Sequence, residues 1–487
     1  MKTPRRPHVS AVALLILGAL AAGCAAPPQR DQASALHPPL AEAWQRAPGD
    51  GPARPADAQL LAQWWRGIGD PLLGVLIDEA LVANLDLRSA QAALARARAL
   101  RDVAAAGQRL QVGSSGSAGR NRSNERNSTS LSLNLDASWE PDAFGGLAAG
   151  VAAAVAQAES SAMNLAATRI AVAGEVALAY LQWHGTRRQI RLAEDNLALQ
   201  AESLQVAQWR SGAGLATVLD VEQARSNVEQ TRARLPALRS TLQQTEHRLA
   251  LLLGQPPTAL GERLAQQAPG VAALPALPPL PALGLPADLL RRRPDIRAAE
   301  ASASAALATL RQREAERLPR FSITGRLGLQ ALKLAALGEP AALVAGLSAA
   351  IQWPALDGGA GHAQVEAQQA ALDGARVDYQ AAVLTAQQDV ENTLAALAAG
   401  REQVTSLESA AASAADAASL ARLRYQSGLI DFTPLLDAQR SALAADDALA
   451  SARTELALNQ VRLYKALGGG WEAPALPTTL THTNGRP

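Results

Sequence analysis

Ser130-Leu-Ser-Leu-Asn-Leu-Asp-Ala-Ser-Trp139 alternates with a period of two. Leu131, Leu133, Leu135, Ala137 and Trp139 fall on one side, and Ser130, Ser132, Asn134, Asp136 and Ser138 on the other. This is the pattern of a strand with one apolar and one polar face. Its length of about ten residues suffices to cross a bilayer at a tilt, and it ends in a tryptophan, as a membrane-interface girdle would. A second copy follows: Leu343, Ala345, Leu347, Ala349, Ile351 and Trp353 alternate in the same way, with Trp353 closing this stretch as Trp139 closes the first. The two tryptophans are expected to mark one membrane interface.

Each of these strands has a candidate partner just before it. Residues 109–140 form one strand pair, whose first member, near Leu110 to Arg120, is rich in Gly and Ser, with a polar loop predicted over Asn121 to Asn127. Residues 320–353 form the other: Phe321, Ile323, Gly325, Leu327, Leu329 and Ala331 alternate with Ser322, Thr324, Arg326, Gly328 and Gln330.

The helical segments carry the same duplication. Val176, Trp183, Ile190, Leu197 and Leu204 recur with a heptad period, and Val390, Leu397, Val404, Ala411 and Ala418 repeat them, displaced by the interval that separates Trp353 from Trp139. Val221, Val228, Leu235, Leu242 and Leu249 correspond to Leu435, Ala442, Leu449, Leu456 and Leu463 at the same displacement. A repeat at constant register signals internal duplication, and a seven-residue period signals a coiled-coil seam. The proline-free run from Leu147 to Trp209 would form a helix on the order of 95 Å long at ~1.5 Å per residue. No soluble domain needs that length, whereas a conduit across a periplasm does.

An open four-stranded sheet cannot stand alone in lipid, because every backbone N–H and C=O there must be paired. Bacterial barrels begin at about eight strands, so several copies must share one barrel. Two copies give 8 strands and three give 12, and the strand argument alone does not choose. The polar faces would line a wet lumen. A β-sandwich inserted between helices is the competing reading of the strands.

The N-terminus addresses the chain. Lys2, Arg5 and Arg6 precede an apolar run from Val9 to Ala22, as in a secretory signal peptide over residues 1–23. Leu20-Ala21-Ala22-Gly23-Cys24 resembles a bacterial lipobox, in which the signal is cut before a cysteine that takes acyl chains such as palmitate. Cys24 is the sole cysteine, and Ala25 follows it in place of the Asp that favours inner-membrane retention. An outer-membrane lipoprotein is expected, with residues 24–62 as a Pro-, Ala- and Gly-rich tether. The first repeat is expected over 63–254, a Pro-rich linker over 255–288, the second repeat over 289–470 and a tail over 471–487.

The 45 basic and 44 acidic residues give a net charge of +1, or −2 once the signal's three cations are removed, leaving 42 against 44. A chain this near neutrality gives no reason to propose nucleic acid as a partner. No disulfide can form within the chain, the six histidines are scattered without ligand spacing, and no nucleophile–base set or phosphate loop appears. The chain is expected to have no catalytic residues, no metal site and no cofactor beyond the lipid on Cys24.

Leu289-Leu-Arg-Arg-Arg-Pro-Asp-Ile-Arg-Ala-Ala-Glu300 is similar to the RRPDIRAAE signature of outer membrane efflux factors, the OprM and NodT branch of the TolC-like family. Trp64-Trp65, Asp70-Pro71, Leu72 and Ala80-Leu81 resemble that family's opening. Trp209-Arg210, Ala213-Gly214-Leu215 and Leu219 to Arg225 resemble its first-half motif, and Arg424 to Gly428 with Leu435 to Arg440 its second. The resemblance implies a mostly α chain with membrane β: a homotrimer whose four strands per chain close a 12-stranded barrel that continues into a periplasmic α-helical barrel. Such a channel is a passive exit duct of tripartite efflux, docking with a periplasmic adaptor and an inner-membrane transporter of the RND type among outer membrane lipids. A type I secretion channel and a non-spanning periplasmic coiled-coil lipoprotein are the alternatives. The resemblance also places the periplasmic gate. Asp437 and Arg440 match gate-contact positions, Tyr425 matches a nearby tyrosine, and Thr433 stands where the family usually has a gate leucine. A helix-cap and surface pair is the competing reading of Asp437 and Arg440. Arg291, Arg292, Arg293 and Asp295 read as a structural helix start that pairs with acids at the repeat junction.

Overall fold

A computed structural model describes residues 44–45, 61–123, 126–266, 274–278 and 292–472. Cys24, the signal peptide and most of the tether lie outside these residues. Among them the element order is α1 (Pro71–Ala83), α2 (Leu85–Ala106), β1 (Gln111–Ser123), β2 (Arg126–Trp139), α3 (Gly146–Gly212), α4 (Val218–Leu252), α5 (Gly261–Gln266), α6 (Pro294–Ala315), β3 (Arg320–Ala331), β4 (Leu343–Gln352), α7 (Ala360–Gln426) and α8 (Phe432–Ala466).

The duplication is visible in the boundaries. Both α3 and α7 have 67 residues and both α4 and α8 have 35. Their starts, Gly146 and Ala360, Val218 and Phe432, are separated by the same interval as Trp139 and Trp353. At ~1.5 Å per residue, α3 and α7 are each on the order of 100 Å long. The seven-residue rows face their antiparallel partners. Val176, Trp183, Val228, Leu235, Leu249, Val390, Leu397, Val404, Ala411, Leu435 and Leu463 are buried. Most other members of the rows, such as Ile190, Leu204, Val221 and Leu242, are half-buried.

The strands form one antiparallel sheet in the order β1-β2-β3-β4. Directly opposed residues share a face, and the register keeps polar with polar. Ser117 Oγ meets Ser132 Oγ at 2.8 Å, Thr324 Oγ1 meets Ser348 Oγ at 2.7 Å, and Arg326 Nε donates to Asp136 Oδ1 at 2.8 Å. On the other face Leu131, Leu133, Leu135 and Trp139 pair with Ala331, Leu329, Leu327 and Ile323.

Two details differ from the sequence reading. The polar stretch from Asn121 to Asn127 is mostly strand. The β1–β2 ladder continues through Arg120↔Thr129 and Arg122↔Asn127 to Ser123↔Arg126. Backbone pairing between the two strands outweighs the low strand propensity of these side chains. The weak first strand is therefore full length. Trp353 lies one residue past β4, with its indole Nε1 donating to the Arg317 carbonyl at 3.2 Å. Trp139 instead stands inside the ladder opposite Ile323.

The main core gathers where the helix pairs meet α1. Trp64, Trp65, Leu73, Leu76, Ile77, Val176, Tyr180, Trp183, Leu249, Leu253, Leu394, Val461 and Leu463 are buried together. Trp64 stacks on Tyr464 at 5.1 Å, which gives the paired tryptophans of the opening motif a packing role.

Candidate functional site

The sheet is the first part of the site. Its outer strands, β1 and β4, each have one neighbour, so each leaves a free edge. All of β4 is solvent-exposed, Leu347 by 82% and Ile351 by 69%. A sheet with two free edges, one leucine-rich face and one Ser, Thr, Asn, Asp and Arg face is a stave: bilayer on one side, water on the other, further strands at both edges. Asp142 ties the stave to its helices, with its carboxylate accepting from the Leu147 and Ala148 amides at the start of α3. Asp357 serves Gly359 and Gly361 at the start of α7, and those two amides hold its carboxyl below the ordinary carboxylate range.

The second part is the far end of the helices, where α3 turns into α4 and α7 into α8. Gly214 and Gly428 have φ of 76° and 74°. Both occupy the left-handed region that closes each helix. Thr217 and Asp220 form a reciprocal capping box at α4. Asp431 stands at the cap of α8 without a side-chain capping bond. Tyr425 is buried with Ala207, Ala224, Phe432, Leu435 and Leu436. The Arg210 guanidinium lies 4.6 Å over its ring and also donates to its carbonyl. Burial raises the Tyr425 phenol above its ordinary value, although the Arg210 charge opposes this.

Thr433 and Asp437 are exposed, one helical turn apart on α8. Asp437 makes no hydrogen bond or ion pair among the described residues, and Arg440 Nε donates to Asn227 Oδ1 on α4 at 3.2 Å. The four residues that the family resemblance singled out are therefore not joined to one another within one chain. Asp437 is not a helix cap, because it lies well inside α8, whose cap is Asp431. Further links between the two helix pairs run through residues outside the four gate positions: Arg422 to Glu202 at 2.5 Å, Gln439, within the second-half motif, to Ser203 at 2.9 Å, and Arg234 to Asp447 at 3.2 Å.

The third part is a latch that occurs twice. Asn84 caps α2, its Oδ1 accepting from the Asp86 and Leu87 amides, while its Nδ2 donates to the Leu252 carbonyl at the end of α4 at 2.8 Å. Arg293 occupies the same place before α6 and donates to the Ala466 carbonyl at the end of α8 at 3.0 Å. Each latch closes over a left-handed glycine. A Cβ on Gly254 (φ 67°) would meet the Ala83 carbonyl oxygen at 2.6 Å, and one on Gly468 (φ 72°) would meet Arg293 Cγ at 3.3 Å. Arg293 also forks onto Asp295 at 3.1 and 2.7 Å and reaches Asp389 of α7 at 3.3 Å. Burial alone would lower its pKa, but the two carboxylates outweigh burial and hold it above the ordinary guanidinium value.

These features define a class: a membrane stave carried on paired helices of periplasmic length. The chain belongs to the outer membrane efflux protein family, which matches residues 76–255 and 285–469. Outer membrane protein OprJ of Pseudomonas aeruginosa is 32% identical over 493 residues, covering 99% of this chain and 100% of OprJ. The toluene efflux pump outer membrane protein TtgC of Pseudomonas putida is 31% identical, covering 95% of each chain. Among solved structures, the outer-membrane channel OprN superposes with a TM-score of 0.81 at 34% identity, over 90% of this chain and 99% of that one. The open state of the MtrE outer membrane channel of Neisseria gonorrhoeae gives 0.79 at 26% identity, over 89% and 96%. The fold is that of these outer-membrane channels, and the family is one of efflux ducts.

Proposed function

We propose that the chain is the exit duct of a tripartite efflux pump, carrying small organic molecules from an inner-membrane transporter, of the RND type, through a periplasmic adaptor to the exterior. The carrying observation is the four-stranded stave with two free edges, continuous with two helical hairpins each on the order of 100 Å long. Three copies close a 12-stranded barrel, and the helix pairs continue the wall. Pores of this kind work by geometry and lining, without a cofactor. In this reading the signal peptide exports the chain and is removed, and acyl chains on Cys24 tether the new N-terminus in the outer membrane. Relatives named for toluene, antibiotic and pyoverdine export support a substrate class of small organic molecules. Deleting the gene is expected to lower minimal inhibitory concentrations several-fold across a broad panel of apolar drugs and dyes, with the adaptor co-purifying from the parent strain. Unchanged susceptibility together with no adaptor would reject the reading.

The gate is read at α8. Three copies of Asp437 around a narrow pore repel one another and attract cations. Thr433 replaces an apolar constriction with a hydroxyl. Single-channel conductance of the wild type is therefore expected to exceed that of Thr433→Leu, the variant passing less current at every voltage. Equal conductances would refute the proposed role of Thr433.

A further inference from the structure

The apolar face of the sheet ends differently at its two ends. Toward the helices it carries Phe321, Ile351, Trp139 and, just past β4, Trp353. Toward the hairpin tips the last apolar row is Ala118, Leu131 and Ala331. One pleat further on the same face stand Arg120 and its partner Thr129, with Lys333 two positions past Ala331; Arg122 follows one more pleat beyond. Neighbouring strands are ~4.8 Å apart, so Arg120 stands beside Thr129 in the ladder, and Lys333 follows the end of β3, which pairs at Ala331 with the β2 residue two places past Thr129. All three cations are exposed. None makes an ion pair or a side-chain hydrogen bond among the described residues. Arg326, on the wet face of the same sheet, is by contrast held by Asp136.

We propose that Arg120, Arg122 and Lys333 form a binding rim for the phosphate groups of anionic lipids in the outer leaflet. This rests on the channel reading, which makes the leucine face the lipid face. The rim continues that face directly, at the height where hydrocarbon gives way to headgroups. From Trp139 to Leu131 the strand rises ~27 Å, at ~3.4 Å per residue, and a tilted strand then spans about the height of an outer-membrane apolar band. Guanidinium forks match phosphate oxygens in pairs, and exposed cations at the end of the apolar face complement an anionic surface. The opposite rim, aromatic and without a cation on the lipid face of its strands, does not offer this chemistry. Trimerisation would repeat the rim three times around the barrel.

The test uses purified full-length oligomer, wild type and R120Q/R122Q/K333Q, in neutral phosphatidylcholine vesicles titrated with a diphosphorylated glucosamine glycolipid (lipid A). The same titration is repeated with the dephosphorylated glycolipid and with inorganic phosphate as competitor. Wild type is expected to bind the phosphorylated lipid on the order of tenfold or more tightly than the triple variant, and to lose that advantage with the dephosphorylated lipid. Inorganic phosphate at matched concentration should not compete. Equal binding by wild type and variant overturns the proposal, as does equal binding of the two lipids. Competition by inorganic phosphate at matched concentration overturns it too, because the rim would then be a free-anion site. Conductance in planar bilayers is read on the same samples. The variant should conduct like the wild type, and a non-conducting wild type would count against the channel reading itself.

Discussion

Arg293→Ala is expected to destabilise the folded chain by about 3 kcal/mol, the low end for removing one partner of a buried charge network. The Arg293 side chain is only 11% exposed, whereas Asp295 and Asp389 are 44% and 48% exposed. The carboxylates can therefore be rehydrated when the cation is lost, which keeps the cost from the upper end of that range. The Ala466 carbonyl has no such escape, because its contact with Arg293 Nη1 is buried. It also ends α8, where a cation offsets the negative end of the helix dipole. Arg293 thus joins the start of α6, the middle of α7 and the end of α8 through one planar group. Lysine keeps the charge but cannot fork, so Arg293→Lys should recover only part of the loss. The measurement is the thermal midpoint for loss of helical circular dichroism, alongside the yield of SDS-resistant oligomer. A midpoint for Arg293→Ala equal to that of the wild type would refute the latch.

The latch shows where the sequence can be read and where it cannot. The period-two strands, the seven-residue seams and the constant offset between the halves depend on local spacing, and each has its counterpart in the observed elements. The arginine run before Pro294 is legible as a helix start, with Pro294 at the first helical position. Asp295 is a neighbour in the motif, but the distant partners of Arg293 are not legible, because Ala466 and Asp389 lie 173 and 96 residues away. Asn84 and Arg293 are unlike in chemistry, so no motif equates them; only their shared place before α2 and α6 does. The same holds at the tip. Arg424 to Gly428 can be matched as a motif, but that Arg210 rather than Asp437 or Arg440 faces Tyr425 follows from packing across the two repeats. The hairpin at Asn121 to Asn127 reads as a loop because polar side chains weaken a strand prediction while leaving the backbone free to pair.

Between pH 6.5 and about 4, His184 alone is expected to cost the folded chain about 3 kcal/mol of stability. Its side chain is 3% exposed, and neither ring nitrogen has a hydrogen-bond partner among the described residues. The ring is held edge-on between Tyr180 and Trp183, at 4.7 and 5.1 Å. Burial lowers its pKa from 6.5 to about 4, and Arg187 pushes the same way, while Asp70 pulls it up. Asp70 does not prevail because its carboxylate is already engaged. Oδ2 accepts from the Tyr180 hydroxyl at 2.7 Å and stands 3.6 Å from His184 Nε2, and Oδ1 caps α1 through the Leu72 amide at 2.9 Å. Above pH 6.5 the imidazole is neutral in both states, and this contribution to stability is complete. As pH falls toward 4, the unfolded chain takes up a proton that the folded chain refuses, so stability is lost; below about 4 both forms are protonated and the loss levels off. Other carboxylates titrate over this range, so the quantity to measure is the difference between wild type and His184→Phe in thermal midpoint from neutral pH down to the acid end of this window. The wild type should fall further than the variant. Tyr180→Phe supplies the mechanism test: it frees Asp70 Oδ2 to meet the imidazolium, and should raise the His184 pKa and narrow the acid loss. Identical acid profiles for wild type and His184→Phe would mean that the buried imidazole is not what senses the proton.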